Sequence, residues 1–88
     1  MRIILSSQAE KSLRHLTKID QIAIAQKIRS LRDSNIQLNE EKLKGYRDIF
    51  RIRVGDYRIV YRQQKQIVYI ILISHRKDIY RILRQMMS

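Results

Sequence analysis

The spacing of apolar positions changes character midway along the chain. Arg2–Leu5 is a short apolar run and predicts a first strand. Ser6 or Ser7 then offers a helix N-cap, and Ala9, Leu13 and Leu16 follow at helical spacing. A break near Thr17 and Lys18 precedes a second helix over 20–33. Ile24, Ile28 and Leu31 form its inner face, while Lys27, Arg29 and Arg32 point elsewhere. Two helices with a short link predict a helical hairpin. Residues 35–44 read as extended or looped, and Gly45 ends them. From there the period becomes two. Over 49–54, Phe50, Ile52 and Val54 alternate with Arg51 and Arg53. Gly55-Asp56 is a two-residue turn with glycine first, as a type II′ hairpin requires. Residues 57–62 form the return strand. Residues 67–74 are apolar on both faces and predict a central strand. A short helix over 78–87, capped by Asp78, closes the chain. The predicted class is α+β: an N-terminal strand, a helical hairpin, a three-stranded antiparallel meander and a short C-terminal helix, with the helices on one face of the sheet.

The turn sets the register of the hairpin. Val54 falls opposite Tyr57, Arg53 opposite Arg58, Ile52 opposite Ile59, and Arg51 opposite Val60. Arg51, Arg53 and Arg58 therefore share one face, with Arg62 farther along it. Phe50, Ile52, Val54, Tyr57, Ile59 and Tyr61 share the other face, assigned to the core. Like charges directly opposite on a sheet cost stability. A single arginine here would be read as solvated on its aliphatic stem. Three converging arginines favour a phosphate site, because guanidinium forks match phosphate oxygens.

Composition sharpens this. With 88 residues the chain predicts one domain, 1–88, and 44% hydrophobic residues are too many for a disordered segment. No apolar run is long enough to span a bilayer and the N-terminus does not read as a signal peptide, so a soluble cytoplasmic protein without membrane contact is expected. The net charge of +11 is uneven. Residues 1–41 carry seven basic and five acidic side chains (+2), and residues 42–88 carry twelve and three (+9). General solubility does not predict that asymmetry, whereas a polyanion-binding second half does. There is no cysteine, no Gly-rich phosphate loop, no HExxH and no plausible carboxylate pair. No metal or cofactor is expected. A hydrolase built from these residues would act by stabilising anionic charge. RNA permits this, because its own 2′-hydroxyl can attack the adjacent phosphate.

His75-Arg76-Lys77 follows the central strand directly, and Tyr80 falls within the first turn of the last helix. Read singly, Tyr80 is equally a packed aromatic. His75 suits proton transfer but is as readily structural, and His15 reads as a surface residue.

The stretch KLKGYRDIFRIRVGDYRIVYR, followed by IVYIILISHRKDIYR, resembles the RelE toxins of bacterial type II toxin–antitoxin pairs. The resemblance covers essentially the whole chain. It implies a metal-independent endoribonuclease that enters the ribosomal 30S A site and cuts mRNA there, leaving a 2′,3′-cyclic phosphate. In that family two basic residues precede the hairpin turn, matched here by Arg51 and Arg53. An arginine on the return strand is matched by Arg58, an arginine after the last long strand by Arg76, and a tyrosine beyond it by Tyr80. The implied roles follow. Arg58 and Arg76 bind the scissile phosphate, Tyr80 stacks on a base and orients the 2′-hydroxyl, and Arg51 and Arg53 hold the backbone and the developing charge. Lys42, Lys44, Arg62 and Lys77 are candidate contacts to the RNA backbone. The strand pair is often lysine in the family. Arginine stays protonated near neutral pH, so His75 is the candidate acid or base. The implied partners are mRNA, the ribosome and a RelB-like antitoxin, acidic where it meets the arginine face.

Two other readings compete. A ParE-like toxin shares the fold but acts on DNA gyrase, and members of that branch generally lack the arginine–tyrosine set. A non-catalytic RNA-binding module explains the charge but not the positions of those residues.

Overall fold

The computed structural model describes residues 2–32, 40–42 and 48–87. In chain order the elements are β1 (Arg2–Leu5), α1 (Ser7–Arg14), α2 (Lys18–Ser30), β2 (Glu40–Lys42), β3 (Ile49–Val54), β4 (Tyr57–Gln64), β5 (Ile67–His75) and α3 (Ile79–Met87). The strands form one sheet in the order β1-β5-β4-β3-β2. The expected meander of β3, β4 and β5 is its centre. Two strands extend it: β1 runs parallel to β5, and β2 pairs antiparallel with β3 inside the segment read as extended or looped. The neighbouring positions 33–39 and Gly45 lie outside the described residues.

Local chemistry accounts for the helix starts. The Ser6 hydroxyl accepts from the Ala9 N–H at 3.0 Å and donates to the Ile71 carbonyl at 2.7 Å. One side chain thus caps α1 and ties it to β5. Thr17 caps α2 by accepting from the Asp20 N–H at 3.3 Å. That cap starts α2 two residues earlier than the apolar spacing alone suggested.

The hairpin has the register that its turn dictates: Arg53 opposite Arg58, Ile52 opposite Ile59, Arg51 opposite Val60. Gly55 has φ +59°. Asp56 is not among the residues with positive φ, so the turn has the single left-handed position of type II′.

Two cores flank the sheet. On one face, Ala9, Ile24, Ile28 and Leu31 of the helical hairpin pack on Ile52, Ile59, Tyr61, Val68, Ile70 and Ile73. Phe50 and Tyr61, cross-strand partners on this face, stack with ring centroids 5.6 Å apart. The second core comprises Ile49, Val60, Ile71, Leu72 and Ile79, with Ile82 against it. This corrects the expectation that all helices lie on one side: α3 packs on the arginine face. The turn at 76–78 carries the chain around the end of the sheet, and Ile79 and Ile82 then cover apolar positions that lie between the arginines. No helix among the described residues is long and apolar enough to cross a membrane.

Candidate functional site

The site is built where the arginine face of the hairpin meets the start of α3. Alternation along β3 and β4 puts Arg51, Arg53 and Arg58 on the face that α3 partly covers. The Arg53 Nε–H donates to the Gly55 carbonyl at 3.2 Å, and Arg58 Nη1 donates to the Tyr57 carbonyl at 3.4 Å. Both guanidinium groups are thus drawn toward the hairpin turn. Arg76 arrives there from the opposite side. Its backbone N–H donates to the Asp56 carbonyl at 2.8 Å, and its Nε lies 3.9 Å from Asp56 Oδ1. Both side chains of that ion pair are more than half exposed, so it contributes little to stability and yields readily to another anion.

Arg51 lies one pleat repeat farther from the turn, about 7 Å along the strand. Its guanidinium sits over the Tyr80 ring, 5.4 Å from the centroid. Tyr80 is 42% exposed although its neighbour Ile79 is buried. Burial of Ile79 in the second core therefore presents Tyr80 beside Arg51. Arg51, Arg53 and Arg58 thus share one face with Tyr80 beside Arg51, and Arg76 is held at the turn end of the sheet through Asp56.

The other candidates are placed differently. His75 is not brought to the arginine face. It pairs with Tyr57, whose ring it meets edge-on at 5.8 Å, and Tyr57 packs against the helical core. The cause is a β-bulge. Val60 pairs with Leu72 but Tyr61 pairs with Ile70, leaving Ile71 as an extra residue. Strict alternation from Val68 and Ile70 would have put Ser74 on the helical side and His75 among the arginines. The bulge exchanges them, so Ser74 stands opposite Arg58. Arg62 shares the arginine face but lies at the far end of the hairpin, where Asp48 Oδ1 is 3.5 Å from its Nε. Lys77 is exposed beside Arg76, and its N–H donates to His75 Nδ1 at 3.2 Å. Lys42 stands in register with Phe50, next to the Glu41–Arg51 pair. Lys44 lies outside the described residues. Asp56 was read only as a turn residue. Its hold on Arg76 had no local signal, because the two meet only when β5 pairs with β4.

Comparison with known proteins places the chain in a family. Residues 3–80 match the family model of the ParE toxin of type II toxin–antitoxin systems, parDE. Toxin RelE3 of Methanocaldococcus jannaschii is 31% identical over 84 residues, covering 91% of this chain and 96% of the relative. The chain belongs to the RelE/ParE family of type II toxins. The toxin is similar in fold to RelE of the RelB–RelE antitoxin–toxin complex from Methanococcus jannaschii, with TM-score 0.76, 29% identity, and coverage of 90% of this chain and 96% of that one. It also shares its fold with the isolated Escherichia coli RelE toxin, with TM-score 0.73, 23% identity, and coverage of 99% and 98%.

Proposed function

We propose that this toxin is a ribosome-dependent endoribonuclease that cuts mRNA in the 30S A site without a metal or cofactor. The observation that supports the reading is that Arg53 and Arg58 stand opposite each other next to the Gly55-Asp56 turn, with Arg76 held at that turn through Asp56 and Tyr80 beside Arg51. Arg58 and Arg76 hold the scissile phosphate, with the phosphate displacing the exposed Asp56 carboxylate from Arg76. The Tyr80 ring stacks on a base and orients the ribose. The 2′-oxygen then bonds to phosphorus as the bond to the 5′-oxygen breaks, leaving a 2′,3′-cyclic phosphate. The 2′-hydroxyl proton passes to water. The departing 5′-oxygen takes a proton from solvent beside Arg76. Arg51 and Arg53 stabilise the charge gathered on the crowded phosphorus. The placement of His75 on the helical side does not support it as the acid or base. Lys77, next to Arg76, serves the RNA backbone, as do Lys42 and Lys44. Arg62 does so only if released from Asp48.

The toxin works in the cytoplasm, and a RelB-like antitoxin with acidic contacts to the arginine face holds it inactive. The Methanococcus jannaschii relative seen bound to its RelB antitoxin supports that partner. The test of catalysis is primer extension on ribosome-bound messenger, with a chelator present and Arg76→Ala as control. Discrete cuts made by the unmodified toxin alone support the reading. Absence of cuts on programmed ribosomes sinks it.

The match to a model of parDE toxins favours a second reading, inhibition of DNA gyrase. A supercoiling assay separates the two. A gyrase inhibitor blocks supercoiling and is indifferent to ribosomes.

A further inference from the structure

The bulge that turns His75 away from the arginines delivers it to a separate cleft. This cleft, of about 330 Å³, lies between α1 and the end of the sheet and is lined by Lys11, Ser12, His15, Tyr57 and His75, among others. No carboxylate lines it. Asp20 and Asp56 belong to a neighbouring cleft on the far side of the Tyr57–His75 pair. The lining offers the Lys11 ammonium, the Ser12 and Tyr57 hydroxyls, the Gln8 amide and two imidazoles, all able to donate to a phosphate oxygen. His75 is held in place for this. Its Nδ1 accepts from the Lys77 N–H and its ring meets Tyr57 edge-on, which leaves Nε2 as the donor. Lys11 on α1 and His15, the residue that caps its C-terminus, are exposed, so they reach the cleft from the solvent side.

The position of the cleft matters as much as its chemistry. His75 and Arg76 are consecutive, their Cα atoms about 3.8 Å apart. The 76–78 turn is therefore a short bridge from the arginine site to the cleft, and exposed Lys77 lies on that bridge. We infer that the Lys11–His15–His75 cleft binds a phosphate of the same RNA strand, downstream of the one held by Arg58 and Arg76. This rests on the RNA-cleavage reading and adds a second subsite to it. A strand held in both places is fixed at two points, which lowers the freedom of the scissile bond between them.

The experiment compares single-turnover cleavage on ribosomes programmed with a long messenger and with one truncated just past the A-site codon. The proteins are the unmodified toxin and the Lys11→Ala/His15→Gln double variant. Both substituted side chains are exposed, so the fold is retained, and circular dichroism confirms this. The unmodified toxin should lose about tenfold in rate on the truncated message, the equivalent of one charge-assisted phosphate contact. The double variant should cut the long message at that reduced rate and be insensitive to truncation. Equal losses on both messages overturn the subsite and assign these side chains to the ribosome itself. No loss on either message also overturns it. An unmodified toxin that cuts neither message brings down the nuclease reading instead.

Discussion

The Arg76 backbone amide donates to the Asp56 carbonyl at 2.8 Å, tying the segment after β5 to the hairpin turn between β3 and β4. Residues twenty apart in sequence thereby bring a third guanidinium to a pair already set facing each other by the turn. This arrangement places like charges close together, which by itself costs stability. Its consequences can be measured.

Arg53 and Arg58 are direct cross-strand neighbours. Replacing Arg53 with Gln removes their repulsion and should raise stability by roughly 0.2–1 kcal/mol. Urea denaturation reads the gain, and ribosome-dependent cleavage should fall in the same variant. A variant less stable than the parent would mean that Arg53 does structural work.

Tyr80 offers a ring to Arg51 and a hydroxyl to solvent. Tyr80→Phe keeps the ring contact and should leave the melting temperature unchanged. On the cleavage reading, in which the Tyr80 hydroxyl orients the attacking 2′-hydroxyl, single-turnover cleavage should fall by about 10²-fold. Undiminished cleavage would leave stacking as the whole contribution of this residue.

Ile79 is 1% exposed and anchors α3 in the second core. Ile79→Ala should cost about 2–4 kcal/mol in denaturant titration. Because it detaches the start of α3, it should also cost cleavage at temperatures where the sheet remains folded. Ile24→Ala, in the helical core, should cost similar stability without that specific loss.

At Gly55, φ is +59° and an added Cβ would meet nothing within 4 Å. The expected penalty of Gly55→Ala is therefore conformational alone, about 1–2 kcal/mol by thermal melting. Gly55→Asn should lose less, since asparagine tolerates the left-handed region. Equal penalties for the two would point to a clash instead.

How much of this could be read in advance depended on distance along the chain. The hairpin register was legible because a two-residue turn leaves no slack between Val54 and Tyr57. From it the shared face of Arg51, Arg53 and Arg58 followed directly. The α1 start was legible in Ser6, and the link before α2 in the break at Thr17, although α2 itself begins two residues before the expected bound. The parallel pairing of β1 with β5 was not, since nothing within Arg2–Leu5 specifies its partner. The side on which α3 packs was hidden for a related reason. Ile79 and Ile82 announce an apolar stripe, but only the assembled sheet supplies Ile49, Val60 and Leu72 to receive it. The face of His75 was the subtlest case, because the apolar run of β5 is continuous and gives no sign of the extra residue at Ile71.

That extra residue makes the odd and even positions of β5 exchange roles partway along. Up to Ile70 the even positions serve the helical layer, and from Ile73 the odd ones do. The chemistry at the end of the strand is thus set by a count of residues as well as by their identity. Removing one residue between the bulge and the strand end, such as Ile73, would bring an imidazole opposite Arg58 and turn a serine hydroxyl toward the helical layer, with every functional side chain still present. A single-codon insertion or deletion between the bulge and the strand end is therefore a route by which one sheet could trade a face of arginines alone for one that also carries a titratable ring.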